Sequence, residues 1–119
     1  MTSTFLQRFG EVVKGRTVYI SGPITGIAKL NKPAFYTAER SLRTLGAKLV
    51  LNPHRLAAPL ISLEGDAEWR FYMRKALRQL LRADVVHVLA GWKKSKGANR
   101  EHEVALDIGL TIIYQENLT

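Results

Sequence analysis

Val85-Val86-His87-Val88-Leu89 is the stretch that decides the fold. Its apolar run is nearly continuous, as expected of a strand in a sheet covered on both faces. Upstream, Trp69, Met73, Ala76, Leu77 and Leu80 form one apolar stripe. Their spacing predicts a helix from about Glu68 to Arg82. Downstream, a loop from Gly91 to Ala98 leads to a helix over about Asn99 to Ile108, with Asn99 as its cap. Gly109 ends that helix before a last strand, Thr111-Ile112-Ile113-Tyr114. Farther out, Thr17-Val18-Tyr19-Ile20 is a β-prone run halted by Gly22-Pro23. Lys48-Leu49-Val50-Leu51 is another, ended by Asn52-Pro53. Between them a helix starts at Pro33, with Phe35, Ala38, Leu42 and Leu45 as its stripe and Gly46 suited to its C′ position. Phe5, Leu6, Phe9, Val12 and Val13 predict a short leading helix over 5–13, stopped by Gly15. Residues 54–67, with Pro59 among them, read as loop. Strand and helix alternate, so the class is α/β, with right-handed crossovers and a parallel sheet between helical layers. Ligands in such sheets bind beyond the carboxyl ends of the strands, which directs attention to the loops after Ile20, Leu51 and Leu89.

The 119 residues predict a single domain, 1–119, large enough to hold a core. With 46% hydrophobic and 24% charged residues, the composition is that of a globular chain and excludes wholesale disorder. No apolar run is long enough to span a bilayer, so no membrane partner is expected. Residues 1–8 lack the features of a signal peptide. There are no cysteines, which excludes disulfides, thiolate catalysis and cysteine-ligated zinc, and cytoplasm is the simplest compartment. His54, His87 and His102 share no metal-ligand spacing, so no metal is expected. The Gly-x-Ser-x-Gly elbow of serine hydrolases is missing. A net charge of +8 suits either nucleic acid or a small anionic substrate.

The loop Ser21-Gly22-Pro23-Ile24-Thr25-Gly26 is a plain turn or a place where backbone approaches a ligand closely. Gly91 through Glu101 brings lysines, an arginine, Ser95 and a helix N-terminus together, which is good chemistry for a phosphate and equally that of a solvated basic loop. Glu101 precedes Val104, Ala105 and Ile108 by three, four and seven residues, so it lies on the stripe facing the sheet, whereas Glu103 and Asp107 face water. It is either an ordinary first-turn acid or a functional one held where desolvation is costly. Tyr19 is a core tyrosine or a hydroxyl donor to a carboxylate. Arg70, Arg74, Arg78 and Arg82, with Lys75 near them, form a solvated helix face or a phosphate-contacting stripe. Phe71 within that face hints at a subunit contact.

Val18-Tyr19-Ile20-Ser21-Gly22-Pro23-Ile24-Thr25-Gly26, Asn52-Pro53, Ala83-Asp84-Val85-Val86 and Gly91-Trp92 through Ser95-x-Gly97-Ala98-x-x-Glu101 resemble the nucleoside 2-deoxyribosyltransferase superfamily. The likeness runs over about residues 16–114 and is greatest to a small deoxynucleotide N-hydrolase-like branch common in bacteriophages and prophages. It implies a flavodoxin-like, Rossmann-like three-layer sandwich with a parallel sheet of four or five strands, to which this chain adds an N-terminal helix. It implies cleavage or transfer at the N-glycosidic bond of a 2-deoxynucleoside or its 5′-monophosphate, with no cofactor, by a homo-oligomer. Glu101 would be the nucleophile and Tyr19 would position it. Gly22, Ile24, Thr25 and Gly26 would line the sugar and base pocket. Ser95 would contact a 5′-phosphate, Gly97 and Ala98 would border the substrate, and Lys93 and Lys96 would attract the phosphate.

One position departs from the pattern. Where relatives carry an aspartate that helps protonate the departing base, this chain has Ala76. Losing such assistance typically lowers a rate by about 10²–10⁴. Either Asp66, Glu68 or His54 substitutes, or the protein binds a nucleotide without turning it over. A basic nucleic-acid-binding accessory role is the less favoured alternative, and salt-sensitive affinity is its signature.

Overall fold

The structure, a computed structural model, describes residues 9–56 and 65–115. Strands β1 (Thr17–Ser21), β2 (Leu49–Leu51), β3 (Val85–Val88) and β4 (Thr111–Tyr114) form one sheet in the order β2-β1-β3-β4. Every pair is parallel. All four residues of β3 are buried, as a strand inside a two-sided sheet requires. Tyr19 pairs with Val86 and Leu51, and Ser21 with Val88.

Residues 9–13 form α1, followed by α2 (Lys32–Thr44), α3 (Pro53–Leu56), α4 (Asp66–Leu80) and α5 (Lys96–Asp107). The period-two alternation of the strands sends their side chains to two cores. Val18, Ile20, Val50, Val85 and Leu89 pack with Phe9 and Val13 of α1 and with Phe35, Ala38 and Leu42 of α2. Tyr19, Leu51, Val86 and Val88 pack with Leu80, Trp92, Ala98 and Ala105 on the α4–α5 side. Full burial of a side chain such as Phe35 or Leu42 contributes about 1.5–3 kcal/mol. The result is a three-layer α/β arrangement of the flavodoxin-like kind. Among the described residues, no helix is long and apolar enough to cross a membrane.

The order of the strands reverses between β1 and β3. The chain leaves β1 for β2 on one side and returns past β1 to place β3 on the other. That reversal marks the crevice where open α/β sheets take ligands. Gly22 lies there for a packing reason: a Cβ on it would fall 2.8 Å from the Cβ of Leu89. The close approach that the glycine permits is to the end of β3.

Several boundaries differ from the sequence reading. Helix α5 starts at Lys96, three residues before Asn99, because Ser95 is the cap: its hydroxyl accepts the Ala98 N–H at 3.1 Å. Asn99 instead donates its amide to the carbonyls of Lys93 and Ser95 at 2.9 and 2.8 Å. Gly97 is tolerated inside the helix because it passes Met73, whose sulfur would lie 3.3 Å from an added Cβ. Helix α4 begins two residues earlier and ends two residues earlier than the apolar stripe suggested. The expected loop after Pro53 opens with α3, where Asn52 Oδ1 accepts the His54 N–H at 2.9 Å. Residues 5–8 of the expected leading helix and Pro59 of the expected loop lie outside the described residues.

Candidate functional site

Tyr19 and Ser21 are two apart on β1, so both point toward α5. There they meet Glu101. The Tyr19 hydroxyl donates to Oε2 of Glu101, and the Ser21 hydroxyl donates to Oε1 at 2.7 Å. Tyr19 and Ser21 are fully buried and Glu101 is 3% exposed. Among the described residues no lysine, arginine or histidine stands within ion-pair distance of the carboxylate. Burial therefore pushes the Glu101 carboxyl up to about 7, against the opposing pull of the two hydroxyls. Burial, and then the Glu101 charge, raise the Tyr19 hydroxyl well above its usual range. Near neutral pH the phenol keeps its proton while the carboxylate is close to half ionised.

The helix dipole does less here than the sequence suggested. Because α5 starts at Lys96, Glu101 is its sixth residue and lies beyond the first turn, which holds no acid. The stripe argument fares better. Glu101 and Ala105 are buried, Val104 is half-buried, and Glu103 and Asp107 are exposed, but Ile108 is 46% exposed at the end of the helix.

The loop after β1 follows Ser21 directly. Gly22 and Ile24 are buried, and Thr25 and Gly26 are exposed. Beyond them Lys29, Leu30 and Asn31 are consecutive left-handed residues, with φ of 56°, 54° and 58°. That conformation costs an L-residue about 1–2 kcal/mol, and two contacts hold it. The Asn31 amide donates to the Pro23 carbonyl at 2.8 Å, and the His54 Nε2 lies 2.9 Å from the Leu30 carbonyl oxygen.

The loop before α5 is not the cluster of free cations expected. The Lys96 ammonium lies over the Trp69 ring, 3.9 Å from its centre, and that of Lys93 lies 5.9 Å from the centre of Trp92. Arg100 pairs with Glu103 at 3.3 Å. Ser95 is half-buried, Gly97 packs on Met73, and Ala98 is buried with its N–H taken by Ser95.

Of the groups considered as substitutes at Ala76, His54 is engaged with Leu30 on the far side of the sheet. The Glu68 carboxylate folds back toward Gly65 at the start of α4. The side chain of Asp66 lies outside the described residues. Ala76 itself is 3% exposed. Arg70, Arg74, Arg78 and Arg82 are exposed, as is Phe71 at 60%. A surface groove of about 430 Å³ runs along this part of α4, lined by Trp69, Phe71, Met73 and Leu77 among others, and by none of Tyr19, Ser21 and Glu101. Among the described residues no group of three His, Cys, Asp or Glu side chains could hold a metal ion.

Two polar residues near Glu101 escaped the sequence reading. Ser21 was legible, since the alternation that aims Tyr19 also aims the residue two positions on. Tyr72 was not, because only the packing of α4 against the sheet brings its hydroxyl close enough to sense the Glu101 charge.

A family model described as "Domain of unknown function (DUF4406)" matches residues 16–114. The chain belongs to that family. No curated protein matches it.

Proposed function

We propose that the protein cleaves or transfers the N-glycosidic bond of a 2-deoxynucleoside or its 5′-monophosphate, with Glu101 as nucleophile. The observation that carries this reading is a buried carboxylate with two hydroxyl donors and, among the described residues, no cation, at the strand-order reversal between β1 and β3. A purely structural acid so deep is ordinarily paired with a cation. The resemblance of the surrounding motifs to nucleoside 2-deoxyribosyltransferases supplies the substrate class.

The chemistry fits the geometry. One Glu101 oxygen forms a bond to C1′ of the sugar as the bond from C1′ to the base breaks, its electron pair leaving with the base. Water or a second base then takes the sugar and restores the carboxylate. Two easier displacements replace one difficult one at an oxocarbenium-like carbon. Tyr19 and Ser21 fix both oxygens, so the attacking group is oriented before substrate arrives. The Ser95 hydroxyl accepts from Ala98 and keeps its own hydrogen for a 5′-phosphate oxygen.

The test is release of free base from each deoxynucleoside and each 5′-monophosphate, followed by chromatography, against a Glu101→Gln control. Release by the wild type alone supports the reading, and release by neither refutes it. Ala76, a buried alanine on α4 that cannot transfer a proton, favours a second reading, a nucleotide binder without turnover. Calorimetry showing nucleotide affinity without base release selects it.

A further inference from the structure

Breaking an N-glycosidic bond leaves negative charge on the departing base, and some group has to meet it. The hydroxyls of Tyr19 and Ser21 are already committed to the carboxylate. We propose that Tyr72 is the group that contacts the departing base, its neutral phenol donating a hydrogen bond to the charge that develops there. The assignment rests on the reading of Glu101 as nucleophile.

The geometry comes from how α4 sits. Its Leu77 and Leu80 pack into the core on the α4–α5 side. Tyr72, two turns before Leu80 on the same helix, packs instead against the opposite cluster, which contains Ile24 and Leu89. Leu89 follows β3 directly and Ile24 lies three residues after β1, so this cluster reaches the carboxyl end of the sheet at the strand-order reversal. The adjacent Met73 is set against Gly97, one helical turn before Glu101 on α5. On this register the Tyr72 hydroxyl comes close enough to Glu101 for the carboxylate charge to act on it. Tyr72 is half-buried as a residue, and among the described residues its hydroxyl makes no hydrogen bond, so the donor is unspent.

The neighbourhood suits a donor that holds its proton more tightly than an ordinary phenol. Burial first, and then the Glu101 charge, hold the phenol well above its usual range. It stabilises the leaving base as a hydrogen-bond donor and does not surrender its proton. In hydrolysis the water that opens the Glu101–C1′ bond puts its hydroxyl on C1′ and its proton on the base, so Tyr72 ends as it began.

The experiment compares wild type and Tyr72→Phe on two substrates. One is the deoxynucleotide that the wild type cleaves best. The other is a 2-deoxyribosyl 4-nitrophenolate, whose leaving group departs without help. The expected result is a kcat loss of about 10²–10⁴-fold on the first, with KM little changed, and less than about five-fold on the second. Wild-type turnover of the natural substrate is also expected to persist to about pH 9, with no loss from a carboxylic donor ionising. Equal losses on both substrates, or loss on neither, overturn the role of Tyr72 and leave Glu101 standing. A wild type that cleaves neither substrate overturns the nucleophile and this assignment together.

Discussion

Glu39 and Glu101 are buried to the same extent, each 3% exposed, on opposite layers of one sheet. Their surroundings are opposites. Glu39, on α2, accepts from Arg55 at 2.8–3.0 Å and from the Asn52 amide at 3.1 Å, with Arg43 at 3.4 Å. The Arg55 hydrogen bonds hold its carboxyl below the usual range despite burial. Among the described residues Glu101 has only the hydroxyls of Tyr19 and Ser21, and burial lifts its carboxyl to about 7. One acid is neutralised and clamps α2 to α3. The other is left costly to ionise, and perturbed acids of that kind cluster at functional sites.

The sharpest contrast is in activity. Glu101→Gln is expected to lower base release by about 10⁴-fold or more, since it removes the attacking oxygen. Glu39→Gln is expected to retain turnover in whatever fraction remains folded, so the two variants assayed side by side separate a nucleophile from a clamp.

Stability should move the other way. A carboxyl raised from 4.5 to about 7 in the folded state favours folding while protonated. Its contribution is lost as pH rises through that window, on the order of 3 kcal/mol in all. Glu101→Gln is therefore expected to stabilise the protein by about 1–3 kcal/mol at pH 8 and by little at pH 4.5. Glu39, with its pKa lowered, gives stability above the ordinary carboxyl range that is lost on acidification. Glu39→Gln is expected to destabilise by about 1–3 kcal/mol at neutral pH. Urea titrations at the two pH values check both signs, and equal signs would dissolve the contrast.

The layer that holds Glu39 has its own acid sensitivity. His87 lies on β3 between Ile20 and Ile113, its Nδ1 buried without a partner among the described residues, and burial lowers its pKa from 6.5 to about 4. A folded pKa below the unfolded one means stability lost as pH falls from 6.5 to 4, on the order of 3 kcal/mol. His87→Leu is expected to flatten that limb of the stability curve, measured by melting temperature against pH.

The smallest effect probes the hydroxyl pair. Ser21→Ala removes one donor to the carboxylate, so the acid limb of activity is expected to move above pH 7. Turnover at neutral pH should fall by about ten-fold, the size of one hydrogen bond to a charged group. A pH–rate profile that superimposes on that of the wild type would mean that Ser21 does not tune Glu101.

Much of this was legible without coordinates. Val85–Leu89 announced a two-sided sheet, and the spacing of Glu101 to Val104 and Ala105 aimed it inward, because strand and helix periods are local properties of the chain. Tyr19 could be named as a donor to a carboxylate for the same reason. What the chain could not announce was which cation reaches which acid. Lys93 and Lys96 are near Glu101 in sequence, yet their ammonium groups rest on Trp92 and Trp69. Arg55 is sixteen residues from Glu39 and meets it at 2.8 Å. Nor could it reveal that Ser95 starts α5 early, moving Glu101 out of reach of the helix end, or that Tyr72 crosses to the opposite core. Periodicity assigns a side chain to a face, but pKa and partnership depend on distances and desolvation that arise only when separate elements close against one another.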